Sequence, residues 1–122
     1  MFFFMDSVET KQELWKTIKG FEDYQVSTFG NVWSKKKKQI IQTQTIKGGY
    51  KRVRLRKKWL FVHQLVARAF IYDPEPWEEL EVNHLDFNPS NNRVENLQWC
   101  DHAYNMHYSK EAGRLKRKDV EL

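Results

Sequence analysis

A chain of 122 residues has room for one compact domain, or for two small modules that share one core. Hydrophobic residues at 40% and aromatic residues at 15% can supply that core, while 30% charged residues argue against burial in a bilayer. The single cysteine, Cys100, excludes an internal disulfide and a four-sulfur zinc ribbon and reads as a small buried hydrophobe, and the net charge of +5 is moderate, its placement along the chain saying more than its size.

The chain opens with MFFFM, which lacks the basic flank and length of an export signal, and no apolar run approaches the ~18 residues that a membrane span needs. Residues 13–34, ELWKTIKGFEDYQVSTFGNVWS, predict a short lead-in and then strands at 24–27 and 31–34 around a turn containing Gly30. Lys35, Lys36, Lys37 and Lys38 follow as a run suited to a turn against phosphate. Strands at 39–43 and 50–56 are separated by Gly48-Gly49, where paired glycines supply the positive φ of a tight hairpin. In the second of these, YKRVRLR, alternation puts Arg52, Arg54 and Arg56 on one face and Val53 and Leu55 on the other. A last strand is expected at 59–62. HQLVARAF, residues 63–70, then has helical spacing, with Leu65, Val66, Ala69 and Phe70 as its apolar stripe and Pro74 and Pro76 to stop it. Tryptophans recur at 15, 33, 59, 77 and 99, and most of them read as packing residues.

Charge is divided along the chain. From Lys35 to Lys58 there are eleven Lys or Arg and no Asp or Glu, whereas from Asp73 to Asp101 eight Asp or Glu face the single Arg93. A basic face for a nucleic-acid backbone, joined to a region with another task, accounts for this division. Lys51, Lys57 and Lys58 belong to that face with the three arginines and the lysine run, and His63, next in the chain, is counted with them although a histidine at a helix start is ordinarily a satisfied structural donor.

Residues 81–107, EVNHLDFNPSNNRVENLQWCDHAYNMH, carry the most specific signal. Val82-Asn83-His84 predicts a short strand delivering a histidine at its end. Residues 85–92 are turn formers, so the chain loops back through Asn96 into a second strand. Asp101 is placed as the N-cap of a helix that presents His102 and Asn105 on one side, with Gly113 as its stop. The unit is strand, loop, strand, helix.

Asn83-His84, Asn96 and Asn105, in that order, resemble the ββα-metal motif of the HNH endonucleases, in the variant with asparagine in third place. Val62-His63-Gln64-Leu65-Val66-Ala67, Asn91-Asn92 and Asn96-Leu97-Gln98-Trp99 extend the likeness, and residues 15–34 resemble the DNA-binding module that precedes it in phage homing nickases. The resemblance implies an α+β fold in which a small antiparallel β-sheet module, residues 13–58, precedes the nuclease motif at 59–110 and a charged tail at 111–122. It implies a catalytic pair in which His84 is the general base and Asn96 aims it, with Asn83 and Asn105 offering amide oxygens to Mg²⁺ or Mn²⁺. It implies cleavage of double-stranded DNA in the cytoplasm, that of a bacterial host for a phage-encoded chain. A homodimer, or a phage packaging or replication complex, is the partner to look for besides DNA. Two other classes remain open at this level: a DNA-binding protein on a decayed nuclease scaffold, and an accessory protein that uses the fold as an interaction platform.

Overall fold

A computed structural model describes residues 3–4, 12–71 and 80–101. These residues form antiparallel strands and one α-helix: β1 (Phe3–Phe4), β2 (Trp15–Ile18), β3 (Phe21–Ser27), β4 (Val32–Ser34), β5 (Gln39–Ile40), β6 (Gln44–Thr45), β7 (Lys51–Leu55), β8 (Lys58–Phe61), α1 (Val62–Phe70), β9 (Leu80–His84) and β10 (Leu97–Asp101). Three sheets result, ordered β2-β3-β4-β5, β6-β7-β8 and β1-β10-β9. The α+β expectation therefore holds. The lead-in proves to hold a strand of its own, β2, which pairs with β3, and of the strand expected at 39–43 only β5 forms, while β6 begins beyond it at Gln44 in a different sheet. The expected helix after Asp101 lies outside the described residues.

Residues from the first two sheets, α1 and the β9–β10 unit meet in one core. Val26 and Val32 from the first sheet, Val53 and Leu55 from the second, Val62 and Val66 from α1, and Val94, Leu97 and Trp99 from the last unit are all fully buried in one cluster. α1 is the hub. Its Val62, Leu65, Val66 and Ala67 are buried, while Arg68 in its last turn complements the helix dipole. Truncating a side chain such as Trp99 to Ala would cost about 3–5 kcal/mol. Among the described residues no helix is long and apolar enough to cross a membrane.

The β6–β7 hairpin turns at Gly48 and Gly49, whose φ of 94° and 91° suit residues without a Cβ. The β7–β8 hairpin turns instead on Arg56 and Lys57, with φ of 48° and 67°. Such a two-residue turn ordinarily takes Asn or Gly. Arg56 is therefore removed from the strand face on which alternation placed it. Its guanidinium lies 3.4 Å from Asp23 and over the Phe21 ring, leaving Arg52 and Arg54 as the arginines of that face.

Candidate active site

β9 and β10 form a ribbon in which His84 lies opposite Leu97 and Asn83 opposite Gln98. The loop between them is held from inside by amides. Asn96, at the end of a 3-10 turn (Val94–Asn96), donates through Nδ2 to Asp86 Oδ1 at 2.9 Å and to the Asn91 carbonyl at 2.8 Å, and its Oδ1 accepts from the Asp86 N–H at 3.0 Å. Asp86 is also bonded by the Asn88 N–H and the Asn91 side chain, each at 2.8 Å. Partial burial pushes the Asp86 carboxyl up, but these donors together outweigh it and hold the group below the usual carboxylate range. Phe87 takes φ 62° to turn the chain behind His84.

His84 is 7% exposed at the end of β9. Its Nε2 lies 2.8 Å from Asn92 Oδ1. An amide oxygen only accepts, so Nε2 carries the hydrogen and Nδ1 is left with the lone pair. Burial pushes the imidazole below its ordinary pKa, and the Asn92 bond and Asp86 charge counter this only partly. Tyr50 reaches over from the basic module, its ring 6.0 Å from that of His84 and 5.7 Å from that of His63. His63 stands 5.0 Å from His84, centroid to centroid. Burial, with His84 adding to it, pushes His63 down to about 3. Only 7% exposed, and with Nδ1 buried and unpartnered, His63 belongs to the wall of this site, beside His84.

The basic module touches the loop at further points, among them a 2.8 Å bond from the Val94 N–H to the Thr28 carbonyl. Ser90 Oγ donates to the Gly49 carbonyl at 2.6 Å, and a Cβ at Gly30 would stand 3.0 Å from Asn92 Cβ. A cleft of about 340 Å³ opens between Gly30, Thr43, Lys51, Ser90 and Asn92.

Asn83 is buried with its Nδ2 unpartnered, an amide not spent on the fold. Its oxygen is a donor suited to a hard divalent cation. Among the described residues no three His, Cys, Asp or Glu side chains converge. Asn105, His102 and His107 lie outside the described residues. Of the expected DNA contacts, Lys35, Lys36, Lys37, Lys38, Arg54, Lys57 and Lys58 are exposed, and Lys51 and Arg52 are half-buried. Asn92 is the site residue that sequence reasoning missed: Asn91-Asn92 stood out as a pair, with nothing to tell which member faces the histidine.

A family model described as the NUMOD4 motif matches residues 13–56, and one described as HNH endonuclease matches residues 60–107. The chain belongs to the HNH endonuclease family. It is 41% identical over 107 residues to DNA endonuclease I-HmuI of Bacillus phage SP01, covering 83% of this chain and 60% of that relative. An uncharacterized HNH endonuclease, L247, of Acanthamoeba polyphaga mimivirus is 36% identical over 110 residues, covering 84% of this chain and 27% of its own length. H-N-H endonuclease F-TflII of Escherichia phage T5 is 32% identical over 91 residues, 71% of this chain and 47% of that one. The solved structure described as DNA binding and cleavage by the HNH homing endonuclease I-HmuI superposes with a TM-score of 0.72 at 36% identity, covering 89% of this chain and 62% of that chain. The HNH chain thus spans at most about three fifths of the length of these relatives.

Proposed function

We propose that this protein is a divalent-metal-dependent endonuclease that hydrolyses phosphodiester bonds of double-stranded DNA. The observation that carries the reading is the Asn92–His84 pair, which supports a neutral imidazole with Nδ1 as its proton acceptor beside a basic sheet. His84 Nδ1 takes the proton of a water whose oxygen bonds to phosphorus as the bond from phosphorus to the leaving sugar oxygen breaks. Asn96 keeps the loop closed so that Asn92 and His84 stay aligned, and Asn83, with Asn105, would hold the cation. When bound, a divalent ion supplies Lewis acidity at the phosphate and leaving oxygen. Residues 13–58 would grip DNA, 59–110 would cut it and 111–122 would form a charged tail.

One His84 per chain addresses one strand, so a monomer nicks and a homodimer breaks both. A phage packaging or replication complex is the alternative partner. Relatives from phages support action in the cytoplasm of a bacterial host. The test is conversion of supercoiled plasmid to open circle with and without Mg²⁺. Metal-dependent nicking by the parent chain and none by His84→Ala is expected; DNA binding with no cleavage under any divalent ion would overturn the proposal in favour of a DNA-binding protein on a nuclease scaffold.

A further inference from the structure

The solvent face of the β6-β7-β8 sheet carries an arrangement that the hydrolytic chemistry does not use. Trp59 is 42% exposed, an unusual place for a large apolar ring in so small a protein. The Arg52 guanidinium lies over that ring, 4.1 Å from its centroid, and the Arg54 guanidinium lies 5.5 Å from it. Arg54 is directly opposite Trp59 in the β7–β8 pair, while Arg52 reaches it diagonally and faces Gln44 on its other side. Gln44 Oε1 accepts a 2.6 Å hydrogen bond from Arg52 Nε.

We propose that Arg52, stacked on Trp59 and tethered through Nε by Gln44, reads one guanine in the major groove and so sets a sequence preference beside the cleavage point. The proposal rests on the DNA-cleaving function argued above. With Nε occupied, the guanidinium presents its two terminal nitrogens end-on, the fork that matches guanine O6 and N7. A phosphate needs only charge within reach, which the exposed lysines of this module supply without a fixed geometry. Immobilising an arginine before DNA arrives removes ordering entropy that base readout would otherwise cost.

Position agrees with this role. Tyr50, which precedes β7, contacts both the His84 ring and Phe61, and Phe61 is the residue opposite Arg52 in β8. Arg52 therefore lies roughly 7 Å further along the same strand direction. At about 3.4 Å per base pair the guanine should fall within about five pairs of the phosphate that His84 addresses.

The full chain, without divalent cation so that no duplex is cut, is equilibrated with a library of randomised duplexes, and the bound fraction is sequenced. The parent should enrich guanine at one position by about tenfold to a hundredfold. Arg52→Gln should lose that enrichment and keep preferences elsewhere, Trp59→Leu should weaken it at the same position, and Arg54→Gln should lower retention of all sequences alike. Thermal melts confirm that each variant folds. A uniform loss across sequences with Arg52→Gln would assign Arg52 to a phosphate and overturn the inference, as would an unchanged profile. Adding Mg²⁺ to the enriched duplex separates the two proposals: guanine dependence without nicking sinks only the cleavage function, and nicking without guanine dependence sinks only this inference.

Discussion

Asn92 holds His84 by a single 2.8 Å contact to Nε2, and that contact decides which ring nitrogen is free. Asn92→Ala should leave the base in place but unaimed, lowering the nicking rate about tenfold to a hundredfold, within the loss that removing a general base causes. Asn92→Asp should do something different. A carboxylate beside the ring favours imidazolium, so the acid limb of the pH–rate profile should move to higher pH. Rate profiles of the two variants, measured on plasmid, check both; an Asn92→Asp limb at lower pH than the parent's would contradict the assignment.

His84→Ala should abolish cleavage, by about a hundredfold to ten-thousandfold, with DNA affinity nearly intact. In the parent, burial lowers the His84 pKa below the 6.5 of a free imidazole, so the protein should still cut at pH values where an ordinary histidine is protonated. An acid limb centred above 6.5 would sink this reading.

Much of this was legible in the residues, and for identifiable reasons. The alternation of Lys51–Leu55 and the glycine pair before it define a hairpin by elementary geometry, and Asp86, Asn88, Ser90 and Asn91 mark a loop because each bonds nearby backbone or side chains. The Arg56-Lys57 turn was not legible, since neither residue ordinarily takes positive φ and only pairing of β7 with β8 imposes it. In sequence His63 counts with the basic face although a histidine at a helix start is ordinarily a satisfied structural donor, and nothing in its sequence neighbours tells how deeply it is buried. Three neighbouring rings, Tyr50, Phe61 and His84, bury it.

That burial makes His63 an acid-sensitive point. Its pKa of about 3 in the folded chain lies below the unfolded value of 6.5, so the unfolded chain binds the extra proton between these limits. Its contribution is fully present above pH 6.5 and is lost as pH falls toward 3, by about 1.4 kcal/mol per pH unit well inside the window. His63→Phe should flatten that slope. Urea melts at pH 7 and pH 5 measure it, and an equal loss in parent and variant would place the acid sensitivity elsewhere.

Counterion release should distinguish the arginines. Arg54→Ala should remove about 0.9 from the log–log salt slope of DNA binding if it meets one phosphate. Arg56→Ala should change the slope less, because its guanidinium is already engaged by Asp23. Fluorescence anisotropy across a salt series tests the order; a larger effect from Arg56 would reverse it.

If Asn83 and Asn105 hold the cation as proposed, metal and DNA should bind with positive coupling. Amide oxygens offer little charge to offset dehydration of Mg²⁺ or Mn²⁺, so the free protein should bind either weakly, and an uncleavable duplex should raise the affinity by the factor by which metal raises that for DNA. Asn83→Asp should tighten Mn²⁺ binding in the absence of DNA. Isothermal titration into the free protein and its complex is the measurement, and tight binding unchanged by DNA would point to further ligands.

The close approach of Gly30 to Asn92 bears on how such chains can be recombined. The NUMOD4 and HNH segments meet through fitted surfaces and not across a spacer, with Gly49 and Ser90 as a second point of register. A hybrid gene that imported a foreign first segment with any side chain at position 30 would press on the residue that orients His84. Such a hybrid should bind DNA and cut it poorly. Exchange between genes is therefore best tolerated when both segments travel together, and the joint near residues 57–59 is a poor crossover point despite lying between two family matches.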